Sequence, residues 1–155
     1  MPLLQNCTEV AFKYLSKVEI NNYGSNQHEF HGAMAFKQIF GYQRSYFNGT
    51  IYYIDNQSKT YSANTRLTWY DARQFAPNNR SEFRFYYTHS ISVFKPEVDD
   101  ILLLSKTNNN NVVIVIIDEP NIITQIRNNI GLFTSYKGSS DYANINSVSF
   151  LTQLI

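Results

Sequence analysis

Cysteine is nearly absent from this chain: Cys7 stands alone, which excludes an internal disulfide and the stapled architecture of small secreted domains. Charge of one sign is missing as well. Thirteen lysines and arginines against twelve aspartates and glutamates leave a net charge of +1, so any electrostatic footprint has to be local. Hydrophobic runs are short. The longest, Val112 to Ile117, is far below the length of a membrane span, and the start Met1 to Asn6 lacks the charged and apolar regions of a secretory signal. These gaps predict a cytoplasmic protein with no membrane partner, and they empty the sequons at Asn6, Asn48, Asn56 and Asn79 of meaning.

Catalytic and metal-binding signatures are equally scarce. None of the seven lysines has Asp or Glu two positions before it, as the common Mg²⁺-dependent nuclease centre requires. His28 and His31 have no second Cys or His pair, so the ligand count is too low for a structural zinc. Asn48 to Ile54 faintly echoes the tyrosine-rich motif of another nuclease class, without a recognisable arginine and glutamate downstream. There is no phosphate-cradling glycine loop, and Cys7 has no context that would activate it. The expectation is no catalytic residue, no metal and no cofactor.

What the chain does have is room for one core and many aromatic, β-branched segments. Val10 to Leu15 predicts a short helix and Lys17 to Tyr23 a first strand. Ala33 to Phe40 predicts a buried helix closed by Gly41, and Tyr46 to Ile54 a strand. Ile101 to Leu104 and Val112 to Ile117, separated by Asn108 to Asn111, predict a buried hairpin, and Ile122 to Ile130 a second helix ending at Gly131. Gly138 to Ser140 reads as the start of a linker. The expected organisation is one domain over residues 1–137 and, over 138–155, a linker or the start of a segment leading to a further domain absent from this chain.

The most informative stretch runs from Leu67 to Thr88. Leu67 and Trp69 point one way and Arg66, Thr68 and Tyr70 the other; after a polar loop turning near Pro77-Asn78-Asn79, Phe83, Phe85 and Tyr87 alternate with Glu82, Arg84 and Tyr86. Arg66, Arg73, Arg80 and Arg84 are four of the six arginines, and Asp71, Gln74, Asn78, Asn79, Ser81 and Glu82 accompany them. Side chains of these types make bidentate contacts to base edges in the major groove. An ordinary hairpin with solvated cross-strand charge pairs would carry the same residues. Gly24 to Gly32 forms a second polar loop, in which Asn26 and Gln27 can pair with adenine and His28 can reach a phosphate.

With Asn26 to Gly32, Leu67 to Arg73, Arg80 to Tyr87, Asp100 to Leu104 and Val112 to Val115 in this order, the chain resembles the N-terminal DNA-recognition domain of EcoRII-type and LlaJI-type restriction enzymes. A related module occurs in BfiI, and the fold is that of the plant B-three DNA-binding pseudobarrel. The resemblance covers about Lys17 to Phe133. It departs from the pattern at Asn78-Asn79, where a Pro-Thr pair is usual, at the hairpin turn, and at Glu119-Pro120-Asn121.

The resemblance implies a mainly β fold with two or three short helices, an open pseudobarrel of about seven strands, and two arms gripping the major groove of double-stranded DNA. The first arm would be Tyr23 to His28, with Tyr23, Ser25, Asn26, Gln27 and His28 in contact. The second would lie between Asp71 and Arg80. The module would target a bacterial restriction system, with a C-terminal nuclease or nucleotide-dependent translocase as its partner domain. Two alternatives stay open: a small nuclease fragment with an unrecognised catalytic site, and a protein- or oligosaccharide-binding barrel with exposed tyrosines as a stacking platform.

Overall fold

The computed structural model describes residues 2–20, 28–77, 80–131 and 140–155. Among them, eight strands form one open, strongly curled half-barrel sheet that carries three short helices. The strands are β1 (Cys7–Tyr14), β2 (Glu29–His31), β3 (Ser45–Ile54), β4 (Thr60–Asp71), β5 (Phe83–Tyr87), β6 (Ile101–Thr107), β7 (Val112–Ile117) and β8 (Ser140–Asn144). Their order is β2-β5-β4-β3-β7-β6-β1-β8, antiparallel throughout except for the β3–β7 pair.

Alternation along the strands builds two cores, one on each face. Leu67 and Trp69 of β4, Phe83, Phe85 and Tyr87 of β5, and Ile114 and Ile116 of β7 bury themselves with Phe36, Ile39 and Phe40 of helix α1 (Met34–Phe40). On the other face, Val113, Val115 and Ile117 of β7, Ile101 and Leu103 of β6, and Val10 and Phe12 of β1 meet helices α2 (Pro120–Ile130) and α3 (Ser149–Leu154). Strands β1, β6 and β7 are therefore buried on both sides. Strands β3, β4 and β5 keep one face partly open, and the candidate interface lies there.

The helices end where local chemistry requires. Glu119 accepts from the Ile122 amide at 2.7 Å and Pro120 occupies the first turn of α2, while Gly41 closes α1 at φ +78°. Gly32 has a different reason to be glycine: a Cβ there would lie 2.5 Å from the Phe83 carbonyl oxygen and 2.8 Å from the Trp69 ring. That close approach docks the end of β2 beside β5.

Three expectations from the sequence are corrected. The helix expected over Val10 to Leu15 is instead strand: Val10 to Tyr14 make up most of β1, which lies between β6 and β8 and whose two buried faces erase the alternation that marks a strand. Lys17–Glu19 is a 3₁₀ turn rather than the start of a strand, because Glu19 folds back on Ser16; positions 21–23 of that expected strand lie outside the described residues. The expected linker 138–155 is, from Ser140 onward, part of the sheet and of the second core: β8 pairs with β1, and Val148 and Leu151 are buried. The strand count rises from about seven to eight accordingly. The α1 helix, the β6–β7 hairpin and the second helix stand as expected, with the hairpin turn made possible by Asn110 at φ 64°.

Glu19 is fully buried and holds four hydrogen bonds. Its carboxylate accepts from Lys13 Nζ at 2.7 Å and from the Ser16 amide, the Ser16 hydroxyl and the His31 amide, each at 2.8 Å. One side chain thus joins β1, the turn after it and β2. Removing it strands the buried Lys13 ammonium, a loss of about 3–5 kcal/mol for a broken buried pair. Glu19→Ala is expected to show that loss in urea unfolding, and replacing Lys13 by Met in the same protein is expected to restore part of it. A Glu19→Ala protein within about 1 kcal/mol of the parent would mean that the pair contributes only as an exposed one does.

Candidate nucleic-acid interface

Opposed residues on adjacent strands share a face, and the register therefore fixes what the open face displays. Tyr46 of β3, Thr68 of β4, Tyr86 of β5 and Glu29 of β2 stand in one row across the sheet. Tyr70, Arg84 and His31 form the next row toward the second arm, and Asn48 and Arg66 the row on the opposite side. Of the expected contact residues, Arg66, Tyr70 and Arg84 belong to this face.

The loop between β4 and β5 is closed by Asp71. Its Oδ1 accepts from the Arg73 amide at 2.9 Å and the Glu82 amide at 2.8 Å, while the Ala72 amide donates to the Glu82 carbonyl at 2.8 Å. That oxygen closes the loop and does not orient an arginine. Glu82 does the orienting: it accepts from Arg73 Nε at 2.8 Å and from Arg84 at 3.2 Å, and these two bonds hold its carboxyl below the usual carboxylate range. Arg73 is half exposed, so its Nη groups stay available. Arg80 is exposed and forms no ion pair among the described residues; with Arg73, Ser81 and Glu82 it lines a recess of about 260 Å³. Gln74 and Ser81 are exposed on the same loop.

Arg84, grouped by the sequence with the DNA-contacting arginines, is instead engaged within the protein. Its side chain is only 22% exposed, and its two terminal nitrogens are taken by Glu29 and Glu82, each at 3.2 Å. Nε is buried without a hydrogen-bond partner among the described residues. Arg84 ties β2, β5 and the arm together. Tyr70 joins the same linkage by donating to Glu29, and burial followed by that bond pushes its hydroxyl pKa up to about 12.

Of the first expected arm, Tyr23, Ser25, Asn26 and Gln27 lie outside the described residues, as do Asn78 and Asn79 of the second. His28 is described: its ring stacks on Tyr87 at 5.7 Å, and its carbonyl accepts from the Tyr87 amide at 2.8 Å. Reading the sequence missed four residues of the face. Glu29 is the hub for Arg84 and Tyr70. Arg44 bonds Tyr46 at 2.8 Å and lies over the Tyr46 and Tyr70 rings. Tyr46 itself is 67% exposed, and Phe75, in the arm, is 92% exposed. Glu29 had no flanking pattern to reveal it, since Tyr70 and Arg84 are distant in sequence, and the Tyr70 ring beneath Arg44 is equally remote from it.

Charge on this surface is nearly balanced around the arm, where Arg73, Arg80 and Arg84 meet Asp71, Glu82 and Glu29. The positive excess comes from Arg44 and Arg66. Arg66 sits in a polar recess of about 520 Å³ whose other lining side chains include Asn48, Thr50, Asn64, Thr88 and Asn111, with no carboxylate among them. Guanidinium, amide and hydroxyl donors without an acid are suited to an anion such as a backbone phosphate.

Among the described residues, three carboxylates come close enough to hold a metal: Glu97, Asp100 and Asp118, with oxygens within 4.8 Å of one another. The sequence spreads them over three segments and so conceals them. Asp100 is buried, and burial together with the neighbouring Asp118 and Glu97 carboxylates raises its pKa from 3.8 to about 8. It also accepts from the Glu97 amide at 2.9 Å, and Tyr53 lies at 3.5 Å from Asp118.

Because the folded protein keeps a proton on Asp100 that the unfolded chain has lost, stability from this group is full below pH 3.8 and is lost as pH rises to about 8. The slope limit is about 1.4 kcal/mol per pH unit. Asn mimics the protonated acid without titrating, so Asp100→Asn is expected to flatten the pH dependence of urea midpoints and to be more stable than the parent above pH 8. A variant with the parental slope would place the titration elsewhere.

A scan against protein-family models finds none that matches this chain, and a search of curated proteins finds no match.

Proposed function

We propose that this chain is a sequence-specific double-stranded DNA-binding module, the targeting part of a bacterial restriction system, and that its half-barrel is a pseudobarrel of the plant B-three type with an additional strand, β8. The observation that carries the reading is the β4–β5 arm: Asp71 closes it, Glu82 aims the Arg73 fork, and Arg80, exposed at its exit, forms no ion pair among the described residues. One guanidinium preorganised by Glu82 and a second on the same loop suit guanine in the major groove. Arg44 and Arg66 supply the positive charge beside them, and the recess around Arg66 offers a place for a phosphate. The module binds without cleaving, and a nuclease or nucleotide-driven translocase partner supplies the chemistry.

Among the described residues, the nuclease alternative would draw on the Glu97–Asp100–Asp118 group, whose central acid is buried and accepts from the Glu97 amide. The stacking-platform alternative draws on exposed Tyr46, yet Arg44 already lies over the Tyr46 and Tyr70 rings. Neither has as complete a constellation as the arm.

Selection of bound duplexes from a random pool is expected to return a defined sequence, and affinity for it is expected to fall steeply with salt. Arg73→Ala and Arg80→Ala are each expected to lose about 1–3 kcal/mol on that duplex and little on random DNA, whereas Arg66→Ala weakens both alike. Uniform losses for all three would show an arm that grips DNA without reading it. A pool that yields no enriched sequence, or cleavage of plasmid in Mg²⁺ by the folded protein, would overturn the reading.

A further inference from the structure

The arm carries one feature that base-edge hydrogen bonding leaves unused. Phe75 is 92% exposed, well above Tyr46 at 67% and Met34 at 64%. Its loop is not slack. The Gln74 amide donates to the Asp71 carbonyl at 3.3 Å and the Ala76 amide to the Arg73 carbonyl at 3.0 Å, so two overlapping turns hold the backbone on either side of the ring. Asp71 anchors the base of those turns through the Arg73 and Glu82 amides. Next to the ring in sequence, Ala72, Gln74, Ala76 and Pro77 are uncharged, and Arg73 and Arg80 line one recess of the same arm.

We propose that Phe75 is a wedge that this arm inserts between stacked bases of duplex DNA, with Arg73 and Arg80 holding the DNA beside the opened step. The inference rests on the DNA-binding reading and adds to it a deformation of the target. An exposed apolar ring beside one guanidinium held by Glu82 and a second on the same arm fits a partner that is anionic outside and apolar between its layers. Stacked bases between phosphates have that chemistry, and apolar side chains that enter a base step unstack and kink it. An anionic membrane shares the description, but a single ring offers too little apolar area to hold a protein there. The wedge also makes specificity indirect: pyrimidine–purine steps, which unstack most readily, are favoured where Phe75 enters.

The test uses the duplex recovered from the random pool, with 2-aminopurine substituted in turn at each adenine of the site. The full chain is expected to raise the fluorescence at one step, next to a pyrimidine–purine junction. Phe75→Ala is expected to abolish that rise and weaken binding about 10- to 100-fold, the scale of one lost base–aromatic contact. Phe75→Leu, still an apolar wedge, is expected to retain most of the rise. The ring is exposed, so the variants keep the parental fold, checked by their unfolding midpoints. Tight, specific binding with no fluorescence change at any position would overturn the wedge and leave the DNA-binding reading standing. So would a Phe75→Ala protein that loses affinity while the rise persists. Failure to bind any duplex, or binding only to phosphatidylglycerol vesicles, would overturn both.

Discussion

A carboxylate sealed from water is tolerable only if every lone pair and its charge are answered, and Glu19 meets that condition with one ammonium, two amides and a hydroxyl. The consequence spreads outward. By taking the His31 amide, Glu19 fixes the end of β2, and β2 places Glu29 beside Tyr86 in register with β5. Glu29 then receives Arg84 and Tyr70, Arg84 also binds Glu82, and Glu82 orients Arg73. A continuous line of bonds thus runs from the buried core to the candidate interface. The short strand at the sheet edge would be a weak support without it, since a three-residue strand has few backbone bonds of its own.

One face of the sheet is divided between core and candidate interface. Helices α2 and α3 cover β1, β6 and β7, where Val, Ile and Leu fill both sides, and this half acts as the rigid base. Across β3, β4 and β5 the same face carries tyrosines, asparagines, threonines and arginines instead. On a sheet, residues two apart along a strand and residues opposite across it form a flat array. Such an array can present Arg66, Asn48 and Asn64 together, although they come from two strands. Beside this rigid array the β4–β5 arm extends outward, with Phe75 exposed near its tip.

The legibility of the sequence followed how local each signal is. The Phe83, Phe85 and Tyr87 stripe, the Gly41 and Gly131 stops and the asparagine turn at Asn110 were readable because each depends on a few adjacent residues and on simple backbone sterics. Val10 to Leu15 was misread because a strand buried on both faces has no alternation, and in a short apolar run nothing else separates strand from helix. The tail from Ser140 was read as linker because its apolar residues gain meaning only beside β1 and the second core.

The candidate site divides in the same way. By itself the sequence determined that arginines cluster around one loop between two strands, that the strands turn their aromatic residues inward, and that the lysines lack the carboxylate partners of a common nuclease centre. Only the tertiary structure decided which of those arginines are free. Arg84 is consumed by Glu29 across β2, Arg73 is aimed by Glu82, Arg80 makes no ion pair among the described residues, and Arg44 joins from the start of β3. The reason is electrostatic and geometric: a guanidinium's availability depends on which carboxylates lie within a few ångströms, and sheet register between distant segments sets those distances.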